Sequence, residues 1–181
     1  QKGIIHRDIK PSNVLVTELD GAPVVKVIDF GVTKAINHPL TDRTLFTEHG
    51  MLVGTPAYMS PEQTGTTAVD VDTRRDMYSL GVLLYELLVG ALPHDPQLLK
   101  QAAGAEMLRI IREEDAPTPT TRIEELGKTA ETIARQRQTD VRSLLRFLKG
   151  DLDWITMRAL EKDPSRRYAS ASEFGADVGR Y

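Results

Sequence analysis

Residues 77–92, MYSLGVLLYELLVGAL, are the most apolar stretch of the chain and carry one charge, Glu86. Leu80, Leu83, Leu84, Leu87 and Leu88 recur at i, i+3, i+4, i+7 and i+8, the spacing of one helical face. Val82 and Val89 widen the stripe, so the spacing predicts a helix over 73–89 that is buried nearly all round. Gly90 supplies a stop, because glycine takes the left-handed conformation that closes helices, and Pro93 follows it. The stretch is short for a bilayer span and has Glu86 inside it, so it reads as a core helix rather than a membrane helix.

The chain has 181 residues, enough to bury such a helix in one domain. Its net charge of −3 gives no basic excess for nucleic acid or for an anionic membrane surface. The absence of cysteine excludes a disulfide framework and thiolate metal sites, and it fits a reducing, cytoplasmic setting.

Ahead of the core helix, β-branched runs at 14–17 (VLVT) and 23–28 (PVVKVI) flank Asp20-Gly21, a turn signal, and predict a hairpin. Asn13 lies eight residues before Gly21 and Asp29 eight after it. An antiparallel hairpin brings its open ends together, so these two oxygen-bearing side chains become neighbours and could bind a hard cation. Residues 31–62 are long, aperiodic and rich in threonine, and a loop of that length is usually functional or disordered.

Further helices are predicted over 97–112, 141–149 and 151–160, and a last one with Ser172 as its N-cap. Residues 113–140, polar and holding Pro117 and Pro119, read as a surface excursion with a helix after it. Trp154 reads as core and His6 as a packed structural residue, whereas His38, His49 and His94 read as solvent-facing.

The segment HRDIKPSNVLV raises the question of chemistry, because it sets Asp8, Lys10 and Asn13 close together. His6-Arg7-Asp8, Lys10, Asn13 and Asp29-Phe30-Gly31 resemble the catalytic loop and metal-binding loop of protein kinases. The run GTPAYMSPE, 54–62, is similar to the end of a kinase activation segment, with Ser60 where the family carries alanine. DMYSLG (76–81) resembles the family's buried central helix, and DPSRRY (163–168) the loop near its end. Five motifs in the family's order make a specific match, and the nearest likeness is to the eukaryote-like serine/threonine kinases of bacteria. The likeness covers nearly the whole chain and is weakest between 113 and 140.

The resemblance implies a mainly α fold with one catalytic β-hairpin, the helical C-terminal lobe of the α+β kinase architecture. It would span 1–181, with the catalytic loop at 4–13, the metal-binding loop at 29–31, the activation segment at 29–62 and a helical subdomain over 73–181. It implies transfer of the ATP γ-phosphoryl group to protein Ser or Thr hydroxyls, with ATP and Mg²⁺ as cofactors. Phosphoryl transfer is loose, so catalysis is mostly positioning and charge neutralisation. Asp8 would take the hydroxyl proton, Lys10 would offset charge on the moving group, and Asn13 and Asp29 would hold the metal. Thr55 would contact Asp8 and Lys10.

Arg7 would clamp a phosphorylated loop residue, Thr47 first and Thr44 or Thr41 after it. Glu62 and Arg167 would form a buried pair, and Asp76 would accept backbone hydrogen bonds from the catalytic loop. Partners would be protein substrates, with self-phosphorylation in trans and no nucleic acid. Only residues 1–5 precede the loop, and no Gly-x-Gly-x-x-Gly follows. The resemblance therefore implies a fragment without the nucleotide-binding lobe, inactive and poorly stable in isolation. The alternative is a non-catalytic kinase-like interaction or regulatory module, though such proteins often lack one of Asp8, Asn13 and Asp29, and all three are present.

Overall fold

The computed structural model describes residues 5–30, 56–64, 73–102 and 104–181. Its first element is the hairpin. β1 (Val14–Leu19) and β2 (Ala22–Val27) pair antiparallel, in register from Val14↔Val27 to Leu19↔Ala22. Asp20 and Gly21 both have positive φ, 53° and 77°, the mark of a type I′ turn, whose twist matches that of the strands it joins.

The remaining regular elements among the described residues are helical. They are α1 (Arg74–Val89), α2 (Pro96–Gln101), α3 (Gly104–Glu113), α4 (Pro119–Glu125), α5 (Lys128–Gln136), α6 (Val141–Leu148), α7 (Asp151–Ala159) and α8 (Ala171–Arg180). Short 3-10 turns add Pro11–Asn13, Pro56–Tyr58, Pro61–Thr64 and Pro164–Arg166. The mainly helical architecture with one hairpin agrees with the class the motifs imply. No helix among the described residues is long and apolar enough to cross a membrane.

α1 ends at Gly90, whose φ of 72° is left-handed and whose N–H donates to the Glu86 carbonyl. The buried face of α1 differs from the leucine stripe. Met77, Tyr78, Val82, Tyr85 and Val89 are buried, whereas Leu80, Leu83, Leu84 and Leu88 are half-buried and Leu87 is 67% exposed. At Gly81 a Cβ would lie 2.7 Å from that of Ala159, so α7 crosses α1 closely there. Leu80 and Leu84 pack against the cluster that Ile155 and Ala159 of α7 join, but stay half-buried.

Among the described residues, three apolar clusters hold the helices together. The largest joins Val82, Tyr85 and Val89 of α1 to Ile123 of α4, Ile133 of α5 and Leu148 of α6. A second lies between α2 and α3, around Leu99 and Ile111. The third packs Met77 against Ile155, Ala159, Tyr168 and Phe174.

Several sequence expectations are corrected. Residues 97–112 form two helices because Ala102 is extended, with φ −67° and ψ 126°. The stretch 113–140 is no surface excursion, since Pro119 and Ile123 are fully buried and α4 and α5 supply part of the main core. Ser170, not Ser172, caps α8, accepting from the Glu173 N–H at 3.2 Å. Trp154 is 57% exposed rather than core, because α7 turns Leu152, Ile155 and Ala159 inward. His94 is not solvent-facing: its Nε2 is buried without a hydrogen-bond partner among the described residues. His6 is buried and packed.

Candidate catalytic site

The polar loop ahead of the hairpin is fixed to the first turns of α1. Asp76 is buried, and its carboxylate accepts the backbone N–H groups of His6 at 2.7 Å and Arg7 at 2.9 Å. A carboxylate with two backbone donors is a strong, charge-assisted anchor. The His6 side chain ties the loop to the far strand, with Nε2 2.8 Å from the Ile28 carbonyl oxygen and the ring 4.6 Å from that of Phe30. Its Nδ1 accepts from the Asp8 N–H at 3.3 Å. Arg7 has a positive φ, 68°, a conformation that costs a non-glycine residue about 1–2 kcal/mol. Asp76 and the buried Ile9 on either side hold the backbone in that turn.

Asp8, Lys10 and Asn13 come together. The Lys10 ammonium lies 2.9 Å from the Asp8 carboxylate, with both side chains about one-fifth exposed. Asn13 is buried in the 3-10 turn that starts the hairpin, and its amide N–H groups donate to the Asp8 carbonyl at 2.8 Å and the Asp8 carboxylate at 3.2 Å. The carboxylate is thus aimed from two sides while one edge remains reachable from solvent.

The hairpin extends one step past its last strand pair. The Ile28 N–H donates to the Asn13 carbonyl at 2.9 Å, so Asn13 faces Ile28 and Asp29 is the next residue. Asp29 is exposed and has φ 56°, a left-handed turn that aspartate tolerates better than most residues. Asn13 Oδ1 has one contact among the described residues, the Ser12 hydroxyl at 3.5 Å. Asn13 Oδ1 and the Asp29 carboxylate are hard oxygen donors, the kind Mg²⁺ prefers when water and phosphate oxygens complete its shell. Among the described residues no three His, Cys, Asp or Glu side chains stand close enough to hold a metal by themselves.

Glu62 and Arg167 meet far from the loop in sequence but on the same end of α1. Two parallel bonds of 2.8 Å join them, and the Arg167 side chain is fully buried. The guanidinium also donates to the carbonyls of Glu161 at 2.6 Å, Lys162 at 3.0 Å and Arg74 at 3.0 Å. All five N–H donors of an arginine are thereby used. The guanidinium also stands 5.1 Å over the Tyr78 ring. Burial pushes the Tyr78 phenol up to about 12.

The segment 56–64 has two further ties that the sequence reading did not single out. The Ser79 hydroxyl donates to the Tyr58 carbonyl at 2.9 Å, and the Tyr58 hydroxyl donates to the Glu86 carboxylate. Burial, reinforced by that carboxylate, holds the Tyr58 phenol well above its ordinary range. Ser60 and its own N–H both donate to the Gln63 side chain at 2.9 Å, a local turn that the Ser-x-x-Gln spacing could have disclosed. Thr55, Thr41, Thr44, Thr47 and Gly31 lie outside the described residues, as do His38 and His49.

The model of the protein kinase domain matches residues 1–174. Serine/threonine-protein kinase PknB of Mycobacterium leprae is 34% identical over 180 residues, which is 99% of this chain and 23% of that protein. A serine/threonine-protein kinase of Myxococcus xanthus is 35% identical over 174 residues, 96% of this chain and 20% of that one. The chain therefore spans less than a quarter of the length of these relatives. Among solved structures, the PknI kinase domain of Mycobacterium tuberculosis superposes with a TM-score of 0.54 at 22% identity, covering 99% of this chain and 47% of that one.

Proposed function

The chain belongs to the protein kinase domain family, and from that premise we propose that it supplies the catalytic loop and substrate-side framework of a serine/threonine protein kinase. The observation that carries the reading is the cluster of Asp8, Lys10 and Asn13, aimed by hydrogen bonds and fixed to α1 through Asp76. The chain's likeness to bacterial serine/threonine kinases, and the Lys10-Pro11-Ser12-Asn13 form of its loop, support Ser or Thr as acceptor.

In this reading Asp8 orients the incoming hydroxyl and accepts its proton. Lys10, beside the same carboxylate, offsets negative charge as the phosphoryl group moves. Asn13 donates its N–H groups to Asp8, and its Oδ1 together with the Asp29 carboxylate would hold Mg²⁺. ATP with Mg²⁺ supplies the phosphoryl group and neutralises its charge. By the resemblance, Thr55 would contact Asp8 and Lys10. Arg7 pairs with a phosphorylated activation-segment threonine, Thr47 before Thr44 or Thr41. Substrates are proteins, and copies of the kinase phosphorylate each other in trans in the cytoplasm.

The test uses the protein carrying this chain, with Ser-, Thr- and Tyr-containing peptides and a labelled γ-phosphate. Asp8→Asn is expected to slow transfer about 10²–10⁴-fold, the range for loss of a positioned general base. Transfer by Asp8→Asn at the wild-type rate would refute the mechanism, and phosphotyrosine as the only product would refute the acceptor class.

A further inference from the structure

Segment 56–64 is held from two sides. On one side, Ala57 and Met59 pack against the cluster around Leu99 and Ile111, and α3 lies along Pro61–Thr64. On the other, Glu62 takes two bonds from the buried Arg167. The two holds come from distant parts of the chain, and one side chain joins them. That side chain is Lys162. Its ammonium donates to the Ile111 carbonyl at 2.8 Å, across 51 positions of sequence, and its own carbonyl accepts from Arg167 at 3.0 Å.

The place of that bond follows from how α3 ends. The last carbonyls of a helix have no donor within it. The Glu114 N–H closes on the Ile110 carbonyl, so Ile111 is the next to need a donor. A cation suits the position, because the C-terminal end of a helix carries partial negative charge. Yet the charge is placed at a cost. Lys162 is half-buried and forms no ion pair among the described residues. Burial lowers its pKa, with Asp115 and Glu114 opposing and Arg167 aiding. A solvated lysine would avoid that cost, and α3 could leave its last carbonyls to water, as helix ends commonly do. What the buried ammonium adds is a fixed distance between α3 and the loop that carries Arg167.

The contacts close into a ring. They run from α3 to Lys162, from Lys162 to Arg167, from Arg167 to Glu62, and from segment 56–64 back to α3. In a closed network each bond restrains the others, so one broken link lets the rest shift. We propose that Lys162 is a positioning residue for phosphoryl transfer. It locks α3 to Arg167 and thereby sets where segment 56–64 stands for the protein substrate. The role rests on the reading of this chain as the substrate-side framework of a kinase.

The test compares the protein carrying this chain with two variants. Lys162→Met keeps the length of the side chain and loses its charge, whereas Lys162→Arg keeps a charged donor. Amide exchange is read at Met59 and Gln63, whose N–H groups bond within the segment at 3.0 and 2.9 Å, and at Leu144 of α6 as the reference. Lys162→Met is expected to lower protection at Met59 and Gln63 about tenfold, the scale of a lost hydrogen bond to a charged group, with Leu144 unchanged. Lys162→Arg is expected to retain it. With Ser and Thr peptides, Lys162→Met should raise the KM for peptide severalfold and not the KM for ATP. Equal loss at all three amides would make Lys162 a general stabiliser and overturn the proposal. Unaltered protection at Met59 and Gln63, a loss as large in Lys162→Arg, or a KM for peptide that does not rise would overturn it too. Transfer by no form of the protein, with exchange as expected, would support the lock and refute the kinase reading.

Discussion

The first turns of α1 meet their neighbours through directed polar bonds, and the last turns meet theirs mainly through apolar packing. At the first end, Asp76 takes two loop amides, the Arg74 carbonyl takes Arg167, and Ser79 holds the Tyr58 carbonyl. At the other end, Val82, Tyr85 and Val89 sink into the cluster that α4, α5 and α6 complete. Polar ties occur there too, from the Tyr58 hydroxyl to the Glu86 carboxylate, from the Tyr85 hydroxyl to the Pro117 carbonyl at 3.0 Å and from Arg137 to the carbonyls of Leu87 and Leu88, but none of them holds the catalytic loop. Directed bonds fix where a loop sits but lose much when one partner goes, because the other is stranded. Apolar burial stabilises in proportion to area and is indifferent to exact placement. Damage at the first end should therefore lower activity beyond its effect on stability, and damage at the second should lower stability alone.

The largest expected effect tests the polar end. Arg167→Ala strands the Glu62 carboxylate and three carbonyls, and should cost about 3–5 kcal/mol of stability by denaturant titration. Molecules that remain folded should transfer phosphate slowly, since the segment 56–64 has lost its tether. Leu148→Ala, in the fully buried part of the apolar cluster, should cost nearly as much, about 3 kcal/mol. Here activity per folded molecule should be unchanged, and a fall in both would break the comparison.

A third prediction concerns pH at the loop after α1. Burial, and then the Lys162 ammonium, hold the His94 imidazole down to about 4, against Glu114 and Asp115, which pull it up, while Arg122 pushes it down. The folded state keeps the ring neutral, whereas the unfolded chain protonates it near the ordinary value of about 6.5. Its contribution is therefore full above about pH 6.5 and is lost as pH falls toward 4, by about 3 kcal/mol. His94→Gln should flatten that slope in denaturation midpoints measured across this range, and an unchanged slope would reject the assignment.

The smallest effect sharpens the contrast between buried and open charge. Arg109 bonds Glu106 at 2.8 and 2.9 Å and Glu114 at 2.7 Å, three carboxylate contacts against the two that Arg167 makes, but in water. Arg109→Ala should lower stability far less than Arg167→Ala, because solvent screens the network and replaces it. A cost near that of Arg167→Ala would mean that contact number, not burial, sets the value of a pair.

Much of the polar end was legible in the residues because its signals are local. The hairpin follows from β-branched runs around Asp20-Gly21, the loop from its motif, and the close of α1 from Gly90. The apolar end was less legible. Leucine counting overestimated burial along α1, where Val82 and Val89 are buried but Leu87 is exposed and the other leucines half-buried, because what buries a face is the helix opposite. Nothing local tells that Ile123 is sealed by α1 and α6, or that Arg137 caps the end of a helix 49 residues earlier. Polarity made 113–140 look like surface, although one apolar residue per turn was enough to join the core. Trp154 and His94 were misjudged for the same reason, since residue type sets an average burial and packing sets the actual one.

The central claim is that Asp76 holds the catalytic loop in place, and amide hydrogen exchange at His6 and Arg7 tests it most directly. The account predicts that Asp76→Ala removes protection from these two amides while the amides of the last turns of α1 keep theirs. Equal protection at His6 and Arg7 in both proteins would contradict it, and the loop would then owe its position to something other than α1.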